Sequence, residues 1–147
     1  MSNYIVKIIP KHEKTIPGEK ERNAIKNQMR LMTVNKEISE QLYNEVTFID
    51  SGSNFEGIRC NHCMTYLEPD WWVEQMDTKS SNQFNDLSII SPSPCCASAL
   101  SLNELYYIWP MGFAKYVIEI MNPEEDEVIR IEQFIENINY KLIRAHY

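Results

Sequence analysis

Four cysteines are the residues of this chain best suited to chemistry: Cys60, Cys63, Cys95 and Cys96, with no others. Cys60-Asn61-His62-Cys63 is a CxxC knuckle. Cys95 and Cys96 form an adjacent pair, 32 positions after Cys63. A knuckle plus a distant second thiol pair has the spacing logic of a structural zinc ribbon, where Zn2+ takes four thiolates in a tetrahedron at about 2.3 Å. The second pair departs from the commoner second CxxC. Neighbouring residues of an extended strand point to opposite faces, so vicinal cysteines converge on one ion only in a turn. Ser91-Pro92-Ser93-Pro94 runs into Cys95, and its two prolines stiffen that approach.

The expectation is therefore one structural Zn2+ held by all four cysteines. The alternatives are a site with only one of Cys95 and Cys96, completed by water or a histidine, a redox pair, or plain buried thiols. Thioredoxin-like chemistry places CxxC at a helix start after a strand. Here Gly57-Ile58-Arg59 leads in and Met64-Thr65-Tyr66-Leu67 leads out, which reads as a hairpin around a knuckle. His62 reads as a solvent-facing turn residue rather than a ligand.

Other chemistry is thinly represented. There is no GxxxxGK[ST], so no P-loop ATPase or GTPase, and no GxGxxG, HExxH or GxSxG. With four glycines in 147 residues, a phosphate-cradling loop is not expected. His12 falls in a loop and His146 on the last strand. Glu124–Glu127 reads as the solvated start of a helix.

The elements that must position the cysteines follow from periodicity. Tyr4–Ile9 is β-branched and stops at Pro10, which predicts a central strand. Glu19–Met32 predicts a helix, with Ile25, Met29 and Met32 on one face and Glu19 and Glu21 in the positive first turn. Glu37–Tyr43 predicts a half-exposed strand that Val46–Ile49 extends or follows. Pro69 suits the first position of a short helix through Trp72, Val73 and Met76. Thr78–Asn85 reads as loop and Leu87–Ile90 as a strand into the second thiol pair. Ser101-Leu102-Asn103-Glu104 matches a capping box, predicting a helical turn. Phe113–Met121 is the second strongly apolar strand, with Ala114, Tyr116, Ile118 and Ile120 on one face. Asn122-Pro123-Glu124-Glu125 predicts a helix start capped by Asn122, with Val128, Ile131, Ile135 and Ile138 as its apolar face and Asn139 as its stop. Tyr140–Tyr147 alternates again.

Strand–helix–strand, a long interruption, then strand–helix–strand is the order of a split βαβ sandwich. The expected fold class is α+β, a ferredoxin-like sandwich of residues 1–50 plus 112–147 with an inserted zinc-ribbon-like lobe, 51–111. The sandwich takes 86 residues and the insert 61. A lobe of that size can rarely hold itself with its core alone, which gives a metal staple a physical reason.

Charge and aromatic content narrow the function. The chain carries −7 overall. The insert has Arg59 and Lys79 against seven carboxylates, leaving −5 there and −2 elsewhere. Four thiolates on Zn2+ would add a further −2. All three tryptophans, Trp71, Trp72 and Trp109, lie in the insert. Such acidity argues against nucleic acid as the main partner and suits a basic protein partner. Adjacent Trp71 and Trp72 on a helix point about 100° apart, so both cannot bury equally well. Asp70, Trp71 and Trp72 are accordingly the candidate partner-binding residues; the plainer reading is that the tryptophans pack the lobe. No apolar run is long enough for a membrane span, and Met1–Pro10 lacks the basic segment and cleavage site of a signal peptide, so the cytoplasm is the expected compartment.

The ordered set Phe48-Ile49-Asp50, Asn54-Phe55-Glu56, Cys60-x-x-Cys63, Asp70-Trp71-Trp72, Cys95-Cys96, Ser101–Leu105, Trp109-Pro110-x-Gly112-Phe113-Ala114, Asn122-Pro123 and Ala145-His146-Tyr147 resembles an uncharacterised family of small bacterial proteins. The likeness runs from about residue 48 onward. It implies a bacterial, cytosolic, zinc-binding protein and little about activity. Ala97-Ser98 stand where that family usually has glycine. Relatives sometimes labelled sugar-transporter ATPases would need a P-loop that this chain does not have.

Three functional readings follow. The first is a non-catalytic binding protein whose zinc lobe presents an acidic, aromatic face to a basic protein, as an immunity-type inhibitor of a nuclease toxin would. The second is an enzyme using an open zinc or a reactive thiol. The third is a nucleic-acid-associated regulator working through a local basic patch, Lys11, Lys14, Lys20, Arg22 and Lys26.

Overall fold

The computed structural model describes residues 3–89, 95–96 and 99–147. The expectations for Ile90, Ser91–Pro94 and Ala97-Ser98 lie outside the described residues. The protein is mixed α+β. The described elements are β1 (Tyr4–Pro10), α1 (Glu19–Met32), β2 (Ile38–Ile49), β3 (Ile58–Arg59), β4 (Tyr66–Leu67), α2 (Pro69–Ser80), β5 (Ser88–Ile89), β6 (Leu100–Ser101), β7 (Tyr106–Tyr107), β8 (Gly112–Met121), α3 (Glu125–Glu136) and β9 (Tyr140–His146).

The largest sheet has the order β2-β8-β1-β9, with every neighbouring pair antiparallel. Its centre is β8 and β1, the two strands whose sequences are apolar almost throughout. A central strand is covered on both faces, so its alternation disappears. Edge strand β2 keeps the half-exposed pattern its sequence announces. It is one long strand rather than two, interrupted by a register shift between Leu42 and Thr47.

Helices α1 and α3 cover the same face. Ile25 and Met29 of α1 and Val128, Ile131 and Ile135 of α3 share one buried cluster with Val6, Ile8, Tyr116, Ile118, Ile120 and Leu142 of the sheet. Each fully buried aliphatic chain of this kind contributes about 1.5–3 kcal/mol. Ala114 does not join them. It packs with Ile9, Ile49, Val117 and Ile143 in a separate cluster, beside the register shift where the pleat of β2 and β8 loses its simple alternation.

Two caps fall elsewhere than their sequence motifs suggest. The N-cap of α3 is Glu124, with a full capping box to Glu127, rather than Asn122. Asn122 turns at φ 47 and closes the sheet instead: its N–H donates to Tyr4 O at 2.8 Å, and its Oδ1 accepts from Tyr4 N–H at 3.1 Å. Ser101 does not start a helical turn. It ends β6, and its Oγ accepts from Asn103 N–H at 3.3 Å within a plain turn. The tertiary pairing of β5 with β6 outcompetes a local cap there.

The remaining strands form a three-stranded sheet, β4-β3-β7, and a two-stranded one, β5-β6. Buried side chains on and beside these strands, among them Ile58, Leu67, Leu87, Leu100, Leu102 and Tyr107, cluster with Val46 of β2 and Phe113 of β8. The core under residues 51–111 is therefore continued by the far ends of the two long strands.

The last strand is clasped by the segment after β2. Ser53 N–H donates to His146 O at 2.8 Å, and His146 N–H donates to Ser51 O at 3.3 Å. Lys7, almost fully buried, donates to the Asp50 carboxylate at 3.2 Å and to the Tyr147 hydroxyl. Burial pushes the Asp50 carboxyl up, but Lys7, Tyr147 and the Gly52 N–H together hold it below its ordinary value. Gly52 has φ 62, and a Cβ there would lie 2.1 Å from the His146 carbonyl oxygen. Neither backbone can move aside without opening the clasp. Gly52→Ala is expected to destabilise the protein by at least about 2 kcal/mol. Thermal unfolding followed by circular dichroism checks this, with Gly18→Ala as the control, since nothing lies within 4 Å of a Cβ at Gly18.

Candidate metal centre

The first thiol pair sits on a hairpin. β3 and β4 pair through Ile58 with Leu67 and Arg59 with Tyr66. Beyond the pairing, Cys60 N–H donates to Thr65 O and Met64 N–H donates to Cys60 O, both at 2.9 Å. Met64 takes φ 63, which costs a non-glycine residue about 1–2 kcal/mol and turns the chain back so that Cys63 faces Cys60. The His62 N–H points at Cys60 Sγ, 3.3 Å away.

The second pair lies in a turn, as two adjacent cysteines must if they are to share a target. That turn is in the connection between β5 and β6, whose pairing of Ile89 with Leu100 draws the two ends of the loop together.

All four sulfurs lie within 4.8 Å of one another. Cys60 Sγ and Cys96 Sγ are 3.8 Å apart, and Cys95 Sγ and Cys96 Sγ 3.9 Å. These distances are far beyond a disulfide bond. The four cysteines are close enough to hold one metal ion. Among the described residues no other group of three or more histidine, cysteine and carboxylate side chains converges in this way. Burial is uneven across the set: Cys60 is fully buried, Cys95 and Cys96 half-buried and Cys63 exposed. Hydrogen bonding to Thr65, through its side chain and then its backbone, holds the Cys63 thiol below its ordinary value. His62 is exposed and outside the set; its Nε2 lies 3.1 Å from Ala99 O, tying the knuckle to the residue just before β6.

The candidate partner-binding residues separate. Asp70 is exposed in the first turn of α2. Trp72 is half-buried and committed to an aromatic cluster, stacked on Phe55 at 5.4 Å and edge-on to Phe48 and Tyr107. Its indole N–H donates to the Tyr107 hydroxyl at 3.3 Å, and that hydroxyl donates to Leu102 O. Burial raises the Tyr107 pKa, with the Trp72 hydrogen bond a smaller opposing influence. Trp71, half-buried, packs against the same cluster without these ring contacts. Trp109 is half-buried and lines an open cavity of about 250 Å³ with Ile108, Pro110, Glu132, Leu142 and Arg144. The signal for the aromatic cluster was present in Phe48 and Phe55, but nothing in their spacing pairs them with Trp72.

The suggested basic patch is partly spent. Lys26 pairs with Glu40 at 2.7 Å, and Arg22 donates to Pro17 O at 2.8 Å. Lys141, which no motif marks, lies across Gly112: a Cβ on that glycine would meet its Cε and Nζ at 2.7 Å. Burial, and then Lys11, pushes the Lys141 amine down to about 8.

No helix among the described residues is long and apolar enough to cross a membrane. No protein-family model matches the chain, and neither the curated proteins nor the solved structures contain a match.

Proposed function

We propose that the protein is a non-catalytic binding protein whose lobe, residues 51–111, is stabilised by one structural Zn2+ on Cys60, Cys63, Cys95 and Cys96. The convergence of four sulfurs from two distant pairs carries this reading. A tetrahedron of sulfurs at about 2.3 Å from zinc has edges of about 3.8 Å. The Cys60–Cys96 and Cys95–Cys96 separations match that edge. Soft thiolates favour zinc over harder cations. With all four bound, zinc keeps no open position to activate water, which sets the enzymatic alternative behind the structural one.

The antiparallel order β2-β8-β1-β9 with both helices on one face supports a ferredoxin-like split βαβ sandwich carrying this lobe as a zinc-ribbon-like insert. The acidity of residues 51–111 and their exposed aromatics favour a basic protein partner in the bacterial cytoplasm, with an immunity-type inhibitor as the clearest example of that class. Metal analysis of the purified protein is expected to find one zinc per chain, with four thiols released on chelation. Less than half an equivalent of zinc, without thiol release, would overturn the zinc reading.

A further inference from the structure

The outer face of the three-stranded sheet is an aromatic strip. Leu67, Ile58 and Tyr107 point into the core, so their neighbours Tyr66, Arg59 and Tyr106 point outward. The register sets those three side by side, Arg59 in the middle and opposite both tyrosines. Tyr66 is 46% and Tyr106 49% exposed, two large rings left open to solvent on either side of Arg59. The strip continues past the row. A Cβ on Gly57 would meet the Tyr66 ring at 2.8 Å and Ile108 Cδ1 at 3.3 Å, so the ring and Ile108 adjoin above that glycine. Ile108 N–H donates to Gly57 O at 3.1 Å, extending the pairing by one residue. Ile108 then lines the cavity whose other apolar walls are Trp109, Pro110 and Leu142.

Charge defines the occupant. Glu68, two residues beyond Tyr66, and Glu132, at the cavity, form no ion pair among the described residues. Of the two cations of the strip, Arg144 pairs with Glu125 at 3.0 Å, while Arg59, held against Met64 O at 3.0 Å, keeps its charge and is outnumbered by the two carboxylates. Aromatic faces flanked by unpaired carboxylates attract cationic side chains, which stack on the rings while their charge meets the acids. A single nucleic-acid strand would also find rings to stack on, but the −5 of residues 51–111 repels its phosphates.

We propose that the strip Tyr106–Arg59–Tyr66–Ile108–Trp109 is the docking face for an arginine- or lysine-rich segment of a protein partner. This rests on the binding-protein reading and gives it a location, beside rather than on the Trp72 helix.

The test uses the full-length protein and a fluorescent Arg-Gly repeat peptide, with a Glu-Gly peptide and a thymidylate oligonucleotide as competitors of other chemistry. Binding of the Arg-Gly peptide is expected to weaken roughly tenfold or more in Tyr66→Ala/Tyr106→Ala. It should weaken less than about twofold in Glu74→Gln/Asp77→Asn, which removes charge from the exposed side of α2. Zinc content and melting temperature are measured on the same samples. A folded, zinc-loaded protein whose tyrosine variant binds the peptide as the parent does, or whose affinity follows net charge alone, overturns the docking face and leaves the zinc reading intact. A protein that folds without zinc overturns the zinc reading, and the peptide comparison still decides the docking face. Preferential binding of the oligonucleotide, or a dimer that the tyrosine substitutions abolish, overturns the proposed occupant.

Discussion

The Cys60→Ser variant is expected to lose the proposed zinc and, with it, the fold of residues 51–111, while much of the four-stranded sheet survives. Cys60 is the one fully buried cysteine of the set. Its sulfur lies 3.8 Å from Cys96, and its backbone closes the knuckle through Thr65 and Met64. Structural zinc contributes on the order of 10 kcal/mol to small domains. What would remain without it is weak. Every strand from β3 to β7 is two residues long, far short of the pairing that sustains a sheet alone. The sheet β2-β8-β1-β9 keeps its own cluster under α1 and α3. Amide exchange read by mass spectrometry should show fast exchange across 51–111 and slow exchange in β1, β8 and α3. Chelation of the native protein should reproduce the pattern. Val46 and Phe113 pack into the cluster that holds Cys60, so the far ends of β2 and β8 are expected to loosen as well. Equal loss of protection everywhere would mean that the two segments fold as one unit.

Trp72→Ala is the second large effect: a loss of about 3–5 kcal/mol, the range for deleting a large packed aromatic. The ring touches Phe48, Phe55 and Tyr107, and its N–H donates to the Tyr107 hydroxyl. Removing it opens a void between α2 and the strands and takes one hydrogen bond from a buried phenol. Trp71→Ala, which breaks no described ring contact or hydrogen bond, is expected to cost clearly less. Paired urea titrations decide this. Comparable losses in the two variants would show that Trp71 carries as much of this cluster as Trp72.

The helices over the four-stranded sheet were legible in the sequence because their packing is periodic. The helix Glu19–Met32 has its predicted bounds, and Val128, Ile131 and Ile135 bury as their spacing requires. The two apolar strands are central for the same reason: only a position covered on both faces selects apolar residues on both. Caps were legible only as possibilities. Asn122 satisfies the rules for starting a helix, yet the cap went to Glu124, because Tyr4 on the neighbouring strand offers Asn122 two hydrogen bonds and Glu127 closes a capping box on Glu124. Ser101 shows the same competition, where pairing with Ser88 prevails over a local cap.

The four thiols could be named from residue type and spacing, since no other cysteines exist and a CxxC knuckle defines its own hairpin. Their meeting could not. Whether Cys95 and Cys96 share a target with Cys60 and Cys63 depends on how β5 meets β6 and on how that pair meets the knuckle, whose cysteines lie at least 32 positions before Cys95. The same holds for the tryptophans. Residue type marks Trp71 and Trp72 as consequential, and helical geometry says they diverge, but only the placement of Phe48, Phe55 and Tyr107 decides which ring is enclosed. Local sequence determines which way each side chain can point along its own element. What it points at is set by the tertiary structure, because the partners arrive from distant parts of the chain.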